Sequence, residues 1–124
     1  MRVGQIGKMM PFSKAVDDGN LFDLATLTLA TGWSIDGNDL VCNGSTFSCW
    51  QDILTVGKSY DITYTVYSFV SGTVRAKAGG TNGAWTTLDF TRRETLLCTT
   101  SGIFYIDAGT AFYGRVKDVS IFEL

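Results

Sequence analysis

Residues 59–70, "SYDITYTVYSFV", decide the fold. Tyr60, Ile62, Tyr64 and Val66 alternate with Asp61, Thr63, Thr65 and Tyr67. A period of two in β-branched and aromatic residues is the pattern of a strand with one buried face. The other face is polar but tipped with aromatic rings.

Working outward, "VSG" at 70–72 predicts a turn into "TVRAKAGG" at 73–80, a hairpin whose inner face is Val74, Ala76 and Ala78 and whose outer face is Arg75 and Lys77. The loop "GGTNGAW" follows at 79–85, then "TTLDF" with Leu88 and Phe90 in step, then "ETLLCTT", then "GIFYIDAG" after the turn Ser101-Gly102. In the closing stretch "AFYGRVKDVSIFEL" the alternation is uneven, and Gly114 with the pair Lys117-Asp118 predicts a kink or bulge. Val116, Val119 and Ile121 are expected in the core there, with Arg115 and Lys117 outward. Adding "TGWSIDGNDLVCNGSTFSCW" at 31–50 makes about eight strands at even spacing, enough for a two-sheet antiparallel jelly-roll β-sandwich. The fold expected is therefore all-β: a short N-terminal arm over residues 1–18 and one sandwich domain over 19–124.

Length agrees with that division, since 124 residues make one domain able to bury roughly two-thirds of its unfolded surface. With 45% hydrophobic and 18% charged residues the composition is globular. No apolar stretch approaches the ~18 residues that cross a bilayer, so no membrane is expected as partner. Residues 1–18 lack the apolar segment of a secretory signal, which points to synthesis in a host cytoplasm.

The three cysteines, Cys42, Cys49 and Cys98, are an odd number and are expected as buried free thiols. Asn43-Gly44 is the signature of a two-residue hairpin turn. That register would set Cys42 opposite Ser45 and Asn38 opposite Cys49, too far along the ladder for a bridge, whose Cα atoms must lie within about 7 Å.

Histidine is absent, which removes the usual general base and the commonest transition-metal ligand, so no enzyme, cofactor or metal is expected. The carboxylates Asp17, Asp18, Asp36, Asp39 and Asp52 read as turn formers rather than an acid/base pair. Net charge is −2, yet Arg2, Lys8 and Lys14 give residues 1–16 a charge of +3, leaving −5 for the rest. A basic arm on an acidic body predicts an arm that docks on a partner. Nucleic acid is not that partner, because the balance is acidic and no binding motif interleaves basic and aromatic residues.

The order of "GNLF", "TGW", "LTVGKSYDITYTV", "SGTVRAKAGG", "TTSGIFYI" and "FYGRVKDVSI" resembles the carbohydrate-binding-module-like jelly-roll domains, of galactose-binding-like topology, found in phage structural proteins and appended to glycoside hydrolases. The likeness spans roughly residues 19–124. It implies that Trp33 starts the first sandwich strand as a packing residue and that the central strand is entered through Gly57-Lys58. In that family the closing motif often carries an Asp beside a structural calcium. Lys117 stands at that place here, with Asp118 one position later, so no calcium is expected.

Read as a complete chain from Met1 to Leu124, with the resemblance pointing to a phage particle, the sequence implies a virion structural protein. The first expectation is a capsid decoration or cement protein that clamps the major capsid protein or other virion proteins, as a homo-oligomer such as a trimer. Its contacts would be the arm residues Arg2, Lys8, Met9, Met10, Phe12 and Lys14, and a basic strip of Arg75, Lys77, Arg115 and Lys117. The alternative is a glycan-binding module of a tail or head fibre acting in host attachment, with Trp50, Tyr67 and Trp85 as the platform.

Overall fold

A computed structural model of the chain describes residues 19–124. Two antiparallel sheets form a β-sandwich. In chain order the strands are β1 (Trp33–Asp36), β2 (Asp39–Ser45), β3 (Ser48–Asp52), β4 (Ser59–Ser71), β5 (Val74–Ala78), β6 (Thr81–Asn82), β7 (Phe90–Leu97), β8 (Ile103–Ala108) and β9 (Phe112–Glu123). The five-stranded sheet runs β1-β2-β9-β4-β7 and the four-stranded sheet β3-β8-β5-β6.

β4 lies inside its sheet, between β9 and β7, with Tyr60, Ile62, Tyr64 and Val66 all buried as their parity predicts. The facing strand β5 offers only Val74, Ala76 and Ala78 to the interior. Small residues there leave room for large rings from β4 across a sheet spacing of about 10 Å. The buried tyrosine hydroxyls are satisfied: Tyr60 accepts from the Thr55 amide at 2.7 Å, and Tyr64 lies 3.4 Å from the Thr86 hydroxyl. At the other end of the core Phe112 packs between Trp33 and Phe69, with ring centres 5.9 and 6.2 Å away.

The kink expected in the last strand is a bulge. Thr63 pairs with Ser120 and Thr65 with Lys117, so two residues of β9, Asp118 and Val119, face the single residue Tyr64. Asp118 takes up the extra residue at φ 54. The insertion changes the parity of the strand, which is why Val116 and Ile121, five positions apart, both point inward. Val119 is only partly buried against the core.

Two turns differ from expectation. The segment after β4 is no hairpin, because β4 and β5 belong to different sheets. Gly72, at φ 88, lies against the carbonyls of Thr110 and Ala111, and the Thr73 amide donates to Thr110 at 3.1 Å, so the chain crosses the sandwich there. Asn43-Gly44 is likewise not a turn but part of a bulged β2, where the Tyr113 ring packs on Gly44. The two-residue hairpin is instead Gly37-Asn38, between β1 and β2, with Gly37 at φ 64. Cys42 and Cys49 consequently sit in different sheets, both buried and both free, as is Cys98.

Candidate functional site

The outer face of the four-stranded sheet gathers the residues with binding chemistry. Alternation on β3, β8 and β5 sends Cys49, Phe104, Ile106, Val74, Ala76 and Ala78 inward. Trp50, Tyr105, Asp107, Arg75 and Lys77 therefore point out.

Register assembles them into two rows. One row runs Trp50, Tyr105, Lys77, Asn82 across all four strands. The next runs Ser48, Asp107, Arg75, with Trp85 beside it where the chain pairs Thr86 to Val74. Four strands at about 4.8 Å spacing give a strip of ~14 Å between its lateral edges. Trp50 and Trp85, at its two sides, are 41% and 40% exposed, so each presents an aromatic surface to solvent.

Contacts between neighbouring side chains tie the strip together. Asp107 accepts from the Ser48 hydroxyl at 2.7 Å and from Arg75 Nε at 2.9 Å. The Arg75 guanidinium lies 4.0 Å from the Trp85 ring centre, and Lys77 Nζ lies 4.9 Å from that of Tyr105. Gly109 lets the Trp85 ring approach, since a Cβ there would come to 2.8 Å of it.

Tyr67, by contrast, is on the opposite outer face, that of the five-stranded sheet. Its hydroxyl donates to Asp39 and accepts from Arg115 Nη1 at 3.3 Å, while Lys117 Nζ stands 4.8 Å from the ring centre. Arg115 also donates to Asp36 at 2.8 Å, and its hydrogen bonds to Tyr67 and Asp36 raise its pKa, keeping it charged. Tyr67 thus does not join the two tryptophans in one platform. Arg75 and Lys77 likewise form no common strip with Arg115 and Lys117, because β5 and β9 are in different sheets. The arm residues Arg2, Lys8, Met9, Met10, Phe12 and Lys14, with Asp17 and Asp18, lie outside the described residues.

Tyr105, Asp107, Ser48 and Asn82 are the members of the face that sequence reasoning missed. Alternation in "GIFYIDAG" does place Tyr105 and Asp107 outward, but only the pairing of β8 with β3 and β5 puts them between Trp50 and Arg75.

A separate shallow cavity of about 610 Å³ is lined by Phe22, Leu24, Ile35, Asn38, Asp118 and Val119, among others. It is mainly apolar. Asp23 at its rim caps the short 3-10 turn Leu24–Thr26 by accepting from the Ala25 amide at 3.0 Å. Among the described residues no three His, Cys, Asp or Glu side chains converge as a metal site. Burial pushes the Cys49 thiol up to about 11 and raises Cys42 and Cys98 as well, so all three thiols are protonated near neutral pH and poor nucleophiles. Among the described residues no helix is long and apolar enough to cross a membrane. No family model matches the chain, and no curated protein matches it.

Proposed function

We propose that this chain is a glycan-binding module of a phage virion, acting in host attachment through the outer face of its four-stranded sheet. One observation carries the reading: Trp50 and Trp85, both about two-fifths exposed, flank Tyr105, Lys77 and Arg75 on a single surface in which Ser48, Asp107 and Arg75 are already linked to one another. Partly exposed rings offer apolar faces to the C–H surfaces of a sugar, and a strip fixed before binding loses little side-chain entropy. The virion setting rests on the family resemblance.

The capsid-cement reading draws on the arm and on the outward basic pairs. Within the described residues Arg75 pairs with Asp107 through Nε and Arg115 with Asp36, and the two basic pairs lie on different sheets, so they offer no joint strip. That leaves the arm as its main support, and the aromatic face favours the glycan.

The test is a glycan panel probed with the wild-type chain, Trp50→Ala and Trp85→Ala. Each substitution is expected to lower affinity at least about tenfold, in line with loss of an aromatic anchor, with the domain still folded. Undiminished binding by both folded variants would remove this face from the function.

A further inference from the structure

Hydrogen-bonding capacity on the four-stranded face is unbalanced. Asp107 is the one carboxylate in the two rows, and both its oxygens are occupied, Oδ1 by Ser48 and Oδ2 by Arg75 Nε; the face's other outward carboxylate, Asp52, lies one row further on, opposite Ile103 and away from Lys77 and Arg75. What remains is mostly donors. The Lys77 ammonium forms no ion pair among the described residues and rests over the Tyr105 ring. Arg75 uses only Nε, so its terminal nitrogens keep their protons available. Trp50 and Trp85 add indole N–H groups, which donate and never accept.

From this excess we infer that the glycan bound here is acidic, a saccharide whose carboxylate, sulfate or phosphate sits over Lys77 while its rings lie against Trp50 and Trp85. The inference rests on the glycan reading above and adds the charge class of the ligand.

The energetics favour that class in two ways. An anionic oxygen makes charge-assisted hydrogen bonds to the ammonium and the guanidinium, about twice as strong as neutral ones. A neutral sugar laid over the same strip offers Lys77 only uncharged oxygen acceptors, which repay less of the ammonium's lost hydration. The same lysine thus attracts the right ligand and rejects the wrong one. General attraction of polyanions to the sandwich does not account for this, because the chain beyond residue 16 carries a net charge of −5.

The inference is tested by binding of the full chain to uronic-acid, sulfated and phosphorylated oligosaccharides, each beside its methyl-esterified, desulfated or dephosphorylated neutral counterpart. The variants are Lys77→Gln, Lys77→Arg and Trp50→Ala, with melting temperatures checked for each. Acidic members should bind at least about tenfold more tightly than their neutral partners. Lys77→Gln should bring them to the neutral level, and Lys77→Arg should keep most of the affinity. Which acidic set binds identifies the anion.

Equal binding of acidic and neutral members would overturn the inference and leave the glycan reading standing. Absence of binding to either set would overturn both. Acidic binding that survives Lys77→Gln or Trp50→Ala would mark diffuse charge attraction and would also overturn the inference.

Discussion

Cys49 shows how burial on a β-strand becomes a pH dependence. The side chain is fully buried, which pushes its thiol from an ordinary 9.0 to about 11. A folded-state pKa above the unfolded one gives stability that is complete below the unfolded value and lost as pH rises through the folded value. The melting temperature should therefore hold to about pH 9 and fall between 9 and 11, a loss of ~2 to 3 kcal/mol at one pH unit per 1.36 kcal/mol. Tyr64, also raised by burial, acts in the same sense. Thermal melts across that range check this, and Cys49→Ala should flatten the fall. Gly79 makes a second case, at φ 58 in the two-residue turn between β5 and β6, where a Cβ would drive into the carbonyls of Thr99 and Ser101. Gly79→Ala should cost ~3 kcal/mol or more, measured by denaturant unfolding. Which way a side chain faces is legible at this scale: Arg75, Lys77 and Trp50 point outward and Val74, Ala76 and Ala78 inward, because strand alternation is a local property.

At the level of the element, the bulge in β9 is the most informative feature. Asp118 sits in the left-handed region at φ 54, which Asp tolerates better than most residues and a β-branched residue tolerates poorly. Asp118→Gly should be neutral or stabilise by about 0.5 kcal/mol, and Asp118→Val should destabilise by about 1 to 2 kcal/mol, read as shifts in the unfolding midpoint. The bulge is legible in the sequence, because an inserted residue breaks the alternation locally, around Lys117-Asp118. The pairing of elements is not legible in the same way. Asn43-Gly44 has the chemistry of a tight turn, yet β9 pairs along β2 on both sides of it, and Ser71-Gly72 looks like a hairpin yet carries the chain between sheets. Both outcomes depend on residues roughly 40 to 70 positions away, Tyr113 in one case and Thr110 in the other. A local signal contains no term for such contacts. For the same reason the sequence points to Trp50 and Trp85 separately, without the Tyr105 and Asp107 that join them.

The whole molecule presents two unlike outer faces. On the five-stranded side Tyr67, Arg115, Asp36 and Asp39 satisfy one another around Lys117, which forms no ion pair among the described residues, and Arg93 holds Asp61, whose pKa is lowered by that pairing. The four-stranded side is set apart by its two exposed tryptophans, Trp50 and Trp85, with Lys77 between them. Residues 1–16, with their charge of +3, belong to the cement expectation and have their own test. Their deletion should leave the melting temperature of the sandwich unchanged, and a loss of particle association in the truncated chain would show that the arm docks. The ligand face is tested most directly by the indole N–H signals of Trp33, Trp50 and Trp85 in a nitrogen-15 NMR titration with the tightest saccharide of the panel. Trp33 serves as an internal control, since it is buried and donates to the Phe47 carbonyl at 3.0 Å. The account predicts that the Trp50 and Trp85 signals move with the saccharide while that of Trp33 stays in place. A saturating ligand that leaves both exposed indoles unmoved would contradict it.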